Sequence, residues 1–370
     1  MKIMFVANYM WDIYIFRGGV LRALIEDGHE VIAVAPDDKR FDMEKEIPGV
    51  KTIAIELNKR GMNPIEDLKL VNTLLKIYKK EKPDIIFHYT IKPNIYGTVA
   101  AKVAGIPAIA IMTGLGYSFV QDNLVSKIAV AMYKVSLKFA KEIWVLNKDD
   151  KKTILEKGIG TEAKIFILPG EGVDTQRFHP MPKERKDDNT VFLMVARAFV
   201  DKGFKEYENA ARLLITKGYK NVEFWYLGAL GDGVSGINGE YMDGLVKEGI
   251  LKYLGTTNTP ENIMKEVDCI VLPSYREGIS KTLMEGAAMG KPLIATDVTG
   301  CKEIIDDGKT GFLVKVKDYE DLADKMIKFL NMGIEKREKM GILGRKKILN
   351  EFDEKRIVDI YRDKLEKVRG

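Results

Sequence analysis

The run Val271-Leu272-Pro273-Ser274-Tyr275-Arg276-Glu277-Gly278-Ile279-Ser280-Lys281-Thr282-Leu283-Met284-Glu285 carries the densest chemistry in this chain of 370 residues. An apolar segment ends at Pro273, Gly278 permits a tight turn, and Ser280 can cap a helix that begins there. A strand, turn and helix in that order aim the backbone N–H groups of Ile279 to Thr282 at one point, where diphosphate oxygens can bind. Glu277 stands at the loop. Glu285 follows about two helical turns later, where its carboxylate can accept paired hydrogen bonds from vicinal ribose hydroxyls. The competing reading is a structural turn with two surface carboxylates.

A second group of reactive side chains is Val195-Ala196-Arg197-Ala198-Phe199-Val200-Asp201-Lys202-Gly203, again directly after an apolar segment. Arg197 and Lys202 bracket a turn, so two cations can converge on a diphosphate leaving group and stabilise the charge it gains. The alternative is a pair of solvated surface cations. There is no Asp-x-Asp triplet to hold a divalent cation, so the expectation is chemistry with protein cations, without a metal or cofactor.

Elements in a regular order must position these groups. Continuous apolar runs at Lys2 to Ala7, Glu30 to Ala35, Lys51 to Leu57, Asp84 to His88, Ala108 to Met112, Glu142 to Leu146 and Lys164 to Leu168 predict strands buried on both faces. Helices are predicted near Gly18 to Asp27, over Pro64 to Glu81, through Val99 to Ala104 and over Leu124 to Ala140. The same alternation restarts after the charged segment Pro180 to Asn189. It runs through Thr190 to Ala196, a helix Phe204 to Lys217, Val222 to Leu227, Leu251 to Leu254, Asp268 to Leu272, a helix through Glu285, and Pro292 to Thr296. The expected fold class is α/β, with two doubly wound, Rossmann-like parallel-sheet domains facing across a cleft. Their expected extents are residues 1–173 and 174–350, with a last helix in 351–370 that can pack back onto the first domain.

Glu277 and Glu285 with seven residues between them, Gly278 after the first, and the Arg197/Lys202 pair resemble the family 4 retaining glycosyltransferases of the GT-B fold. The resemblance extends over nearly the whole chain. In the first half, the Gly18-Gly19 loop after the first strand, Thr90-Ile91-Lys92-Pro93-Asn94-Ile95-Tyr96-Gly97 and Thr113-Gly114-Leu115-Gly116-Tyr117-Ser118-Phe119 resemble the branch that extends lipid-linked glycans. That branch implies a UDP-sugar donor, often an N-acetylated hexosamine such as N-acetylgalactosamine, and an undecaprenyl-diphosphate-linked saccharide as acceptor.

The resemblance assigns Arg197 and Lys202 to the donor diphosphate, Glu277 to the transferred sugar and Glu285 to the ribose. It gives the backbone of Gly278, Ile279, Ser280 and Lys281 to the phosphates, the main chain at Thr256 to the base, and Gly18 to the donor side. Acceptor-side candidates are His88, Lys92, Asn94, Thr113, Gly114 and Tyr117. Many relatives carry a histidine in the loop where Thr113 falls; His88 is read either as its replacement or as a structural histidine. The implied reaction is front-face transfer with retention, the departing diphosphate accepting the acceptor's proton.

Lys127, Lys134, Lys138 and Lys141 fall within roughly one stripe of the helix from Leu124 at about 100° per residue. This predicts contact with an anionic membrane surface, against the alternative of an ordinary solvated helix side. Composition limits the remaining choices. With 59 basic and 54 acidic residues, net +5, the charge is too balanced for nucleic-acid binding. Cys269 and Cys301 with three scattered histidines predict neither a disulfide framework nor a metal cluster. No apolar run is long enough to span a membrane, so the expectation is a cytoplasmic protein, peripheral on the inner membrane face. Gly231-Asp232-Gly233-Val234-Ser235-Gly236 matches a dinucleotide fingerprint, but the following strand offers no acidic residue for a ribose, so it reads as a variable loop. A non-catalytic sugar-nucleotide sensor and a GT-B epimerase are the rival functions.

Overall fold

The computed structural model describes residues 1–38, 41–58, 63–115 and 124–369, which form two compact units. The first comprises residues 1–171 together with 354–370, and the second residues 172–353. In the first unit, seven parallel strands follow one another in the chain: β1 (Lys2–Val6), β2 (Glu30–Ala35), β3 (Val50–Ala54), β4 (Ile85–Tyr89), β5 (Ala108–Met112), β6 (Glu142–Val145) and β7 (Ile165–Ile167). They lie in the sheet order β3-β2-β1-β4-β5-β6-β7. The second unit repeats the pattern with β8 (Thr190–Val195), β9 (Val222–Leu227), β10 (Lys252–Tyr253), β11 (Cys269–Leu272), β12 (Leu293–Thr296) and β13 (Gly311–Val314), ordered β10-β9-β8-β11-β12-β13.

The central strands of both sheets are buried along nearly their whole length, because helices cover both faces. This is why the segments lack polar alternation. Each order reverses direction once, between β1 and β4 and between β8 and β11, and the crevice beyond the strand ends at such a reversal is where ligands bind in open parallel sheets.

Two elements depart from the sequence reading. The first helix starts at Met10 and runs to Glu26, so Gly18 and Gly19 lie within it and not in the turn after β1. That turn is Ala7 to Tyr9, and Gly18 therefore has no place in a donor-binding loop. Packing explains its neighbour: a Cβ on Gly19 would stand 1.9 Å from Glu354 Cδ of the last helix. The helix Lys148–Glu156, capped by Asn147 accepting from the Asp150 amide, was not anticipated.

The last helix, Glu354–Arg369, is part of the first unit and buries Ile357, Val358, Tyr361 and Leu365. Tyr361 Oη lies 2.6 Å from Tyr89 Oη at the end of β4. Arg362 pairs with both carboxylate oxygens of Asp27, at 2.7 and 2.9 Å. The Arg17 guanidinium lies 4.0 Å over the Tyr89 ring and is ion-paired to Glu171. Both partners are almost fully buried, so each charge depends on the other. Among the described residues no helix is long and apolar enough to cross a membrane.

Candidate functional site

At the reversal of the second sheet, the loops after β8 and β11 are tied together along their length. The Tyr275 amide donates to Asp201 O at 2.9 Å, Ser274 Oγ donates to the same oxygen at 3.3 Å, and Thr282 Oγ1 donates to Val195 O at 3.2 Å. Lys202 Nζ donates to Glu277 Oε1 at 2.7 Å, with both side chains only about a fifth exposed. An ammonium has three donors, so this pair leaves capacity for an anion. Gly203 ends the first loop at φ 79°, and a Cβ there would lie 2.0 Å from Pro273 O. Gly203→Ala should therefore destabilise the fold by about 2 kcal/mol, read as a lower urea midpoint; an unchanged midpoint would show that the two loops are not in backbone contact.

A third loop, after β12, supports the second. Glu277 N donates to Thr299 O at 3.1 Å, Ser280 N donates to Gly300 O at 2.8 Å, and the Gly300 amide is held by Glu303 Oε2 at 2.7 Å. Sequence reasoning missed Thr299, Gly300 and Glu303. A glycine just past a buried strand, with a carboxylate three residues on, was the available signal.

The helix that follows the Glu277 loop is Lys281–Ala288. Its cap is Ser280, whose hydroxyl accepts from the Leu283 amide at 3.3 Å. The first amides of a helix have no acceptor within it, and they stand at the positive end of the helix dipole, a combination that attracts phosphate. Gly278 and Ile279 lead into that end, half-buried.

Glu285, one turn into the helix, is only 8% exposed, and its carboxylate makes no hydrogen bond among the described residues. Burial raises its pKa to about 7, while Lys281 and Arg177 act in the opposite direction. A buried carboxylate without donors is suited to a ligand that brings hydroxyls.

Arg197 is placed differently from Lys202. Its side chain is exposed, its guanidinium lies 5.2 Å over the Phe199 ring, and it makes no ion pair among the described residues. Thr256 is exposed just beyond β10, next to Gly255, whose carbonyl accepts from the Gly228 amide at 2.8 Å.

In the first unit three acceptor-side expectations are corrected. His88 is fully buried between Tyr78 Oη at 2.9 Å and Thr98 Oγ1 at 3.2 Å, and desolvation lowers its pKa to about 3. It is a neutral core residue. Lys92 is buried and pairs with Asp67 at 2.7 Å, whose other oxygen accepts from Tyr96 Oη at 2.6 Å. Asn94 is fully buried and donates to Ile111 O at 2.9 Å. All three hold the segment after β4 in place.

That segment is unusual in itself: Thr90 has φ 69°, and Pro93–Gly97 forms a π-helical turn. Such distortions cluster at functional rims. Thr113 and Gly114 are half-buried after β5, and Tyr117 lies outside the described residues.

Comparison with known proteins places this geometry. Residues 2–147 match the family described as Glycosyl transferase 4-like, and residues 176–347 match Glycosyl transferases group 1. The chain is 30% identical over 342 residues to N,N'-diacetylbacillosaminyl-diphospho-undecaprenol alpha-1,3-N-acetylgalactosaminyltransferase of Campylobacter jejuni, covering 88% of each chain. It is 26% identical to UDP-Gal:alpha-D-GlcNAc-diphosphoundecaprenol alpha-1,3-galactosyltransferase of Escherichia coli, over 82% of this chain and 80% of that one. The Anabaena protein HepE, solved in complex with UDP-glucose, superposes with a TM-score of 0.81 at 18% identity, covering 99% of this chain and 100% of that one. Two Rossmann-like sheets, family matches in both halves and a relative of this identity over nearly the full length lead to one assignment: the chain belongs to the family 4 (group 1) glycosyltransferases of the GT-B fold.

Proposed function

We propose that this glycosyltransferase moves an N-acetylhexosamine from a UDP-sugar to a saccharide carried on a lipid diphosphate, with retention at the anomeric carbon. The observation that carries the reading is the Lys202–Glu277 pair, 2.7 Å apart beside the N-terminus of the helix Lys281–Ala288. Support for the substrates comes from the two relatives named above, both of which act on undecaprenol-diphosphate-linked sugars by their names.

In the proposed reaction the bond from the anomeric carbon to the β-phosphate oxygen breaks. The acceptor hydroxyl oxygen bonds to that carbon on the same face, and its proton passes to the departing diphosphate. Lys202, Arg197 and the amides from Gly278 to Lys281 stabilise the charge arriving on the diphosphate, in place of a metal ion. Glu277 turns from Lys202 toward hydroxyls of the transferred sugar, Glu285 receives the ribose hydroxyls, and the main chain at Thr256 meets the base. Thr113 and Gly114 belong to the acceptor side.

The test is a donor screen with purified protein and a short-chain lipid-diphosphate saccharide, with transfer read by mass and the new anomer by proton NMR. UDP release with a product of inverted configuration removes retention; no transfer from any UDP-sugar removes the reading.

The enzyme is further proposed to work as a peripheral protein on the inner face of the cytoplasmic membrane. Lys127, Lys134, Lys138 and Lys141 are all exposed; Leu124, Ile128 and Val135 on the helix Leu124–Ser136, and Phe139 in the turn that follows it, are 73%, 42%, 60% and 46% exposed. An apolar stripe flanked by lysines suits an anionic bilayer surface, where each lysine contributes about 1 kcal/mol. Changing the four lysines to glutamate should abolish flotation with anionic vesicles; undiminished flotation removes this surface from the account.

A further inference from the structure

The glycine-rich stretch Gly231-Asp232-Gly233-Val234-Ser235-Gly236 is not used by any step above, yet it lies against the turn that carries Arg197. The Ala198 amide donates to Ala229 O at 2.8 Å, and the Ile237 amide donates back to Ala198 O at 2.8 Å. The Val200 amide donates to Ser235 O at 2.9 Å, and Phe199 forms an antiparallel bridge with Gly236. The loop closes on itself through Gly231 N to Ile237 O at 3.0 Å. The backbone from Ala198 to Val200, directly after Arg197, is therefore held by the segment Gly228 to Ile237, while the Ala196 amide before it donates to Leu227 O at 3.1 Å.

Close backbone contact requires glycine at two positions of that stretch, Gly231 and Gly236. A Cβ on Gly231 would stand 2.3 Å from Ala198 O, and one on Gly236 would stand 2.3 Å from Gly231 C. On the other side of Arg197, a Cβ on Gly228 would stand 1.7 Å from Ala196 O. These neighbours are backbone atoms, which cannot swing away as a side-chain end can. Gly233 differs, since nothing lies within 4 Å of a Cβ there.

Arg197 itself is exposed, with the Phe199 ring as the one partner under its guanidinium among the described residues. A long, solvated arginine loses rotamer entropy when it engages an anion, and a fixed backbone with a fixed ring reduces that cost. We infer that the Gly228–Ile237 segment is a positioning strap for Arg197: close backbone contact at Gly231 and Gly236 holds the Arg197–Phe199 turn in the geometry that meets the donor diphosphate. This rests on the donor-site reading of Arg197.

The experiment is calorimetric titration of the 370-residue chain with UDP, alongside thermal melting. Arg197→Ala should weaken UDP binding about tenfold, the range for a hydrogen bond to a charged group. Gly231→Ala and Gly236→Ala should each weaken it about fivefold. In the Arg197→Ala background the same changes should cost less than about twofold, because the strap acts through that side chain. Gly233→Ala should lower the melting midpoint, through its φ of 79°, and leave UDP affinity unchanged.

If the glycine variants do not fold, Phe199→Leu serves instead. It should weaken UDP about threefold, a loss absent from the Arg197→Ala background. Losses that persist undiminished in that background overturn the inference, as do wild-type affinities for the strap variants when Arg197→Ala itself is impaired. Unchanged affinity in Arg197→Ala alone overturns the donor-site reading of that residue and the strap with it.

Discussion

Lys202→Ala should slow sugar transfer by about two orders of magnitude, with a much smaller effect on the Michaelis constant for the donor. The asymmetry follows from when the charge is needed. In the free enzyme the Lys202 ammonium is already neutralised by Glu277 at 2.7 Å, so ground-state binding of a diphosphate diester gains only the difference between two anionic partners. As the anomeric bond breaks, the β-phosphate acquires charge that Glu277 does not, and the ammonium then favours the transition state. Lys202→Arg should recover part of the rate, since it restores charge with a different donor geometry. Near wild-type turnover in Lys202→Ala would contradict the role, and an equal loss in both constants would assign Lys202 to plain binding.

The second large effect is expected at Glu285. Its carboxylate is buried and has no hydrogen-bond donor among the described residues, so two ribose hydroxyls would supply charge-assisted bonds of about 1.5–3 kcal/mol each before ordering costs. Glu285→Ala should weaken donor binding about 100-fold. The raised pKa, about 7 from burial, adds a pH signature. Below that value the free enzyme holds a proton on Glu285, and above it the carboxylate is ionised. Hydroxyl donors favour the ionised form, so donor affinity should rise with pH up to about 7 and then level off, with a proton released on binding in the lower range. UDP-N-acetylgalactosamine is the suitable probe, because its diester phosphates lack the monoester ionisation near about pH 6. Glu285→Gln should flatten the profile; a profile unchanged in that variant would place the titrating group elsewhere.

Much of this architecture was readable from residue order because buried parallel strands leave continuous apolar runs. Those runs located β1, β2, β5, β8 and β9 to within a residue or so. The Glu277 loop was legible for a related reason: a strand end, Gly278, and a serine that caps the next helix occupy fixed local offsets.

What was not legible depends on partners outside each residue's own strand, helix or turn. Gly18 and Gly19 read by resemblance as a loop after the first strand, whereas both lie inside the helix Met10–Glu26, where Gly19 packs against Glu354, more than 300 residues away. His88 stands at a strand's carboxyl end, where a catalytic group would be expected, but Tyr78 and Thr98 enclose it in the core. Lys92 and Asn94 belong to the same class, since their polar side chains satisfy buried partners that no local pattern indicates. The Lys202–Glu277 contact spans 75 residues, and the shift at Glu285 arises from burial that only the packed helix creates.

The most direct test is a crystal structure of the chain with UDP bound. The account predicts diphosphate oxygens at roughly 3 Å from Lys202 Nζ and from the amides leading into the helix Lys281–Ala288, with both ribose hydroxyls on Glu285. UDP held elsewhere, or a diphosphate that reaches neither Lys202 nor that helix end, would contradict it.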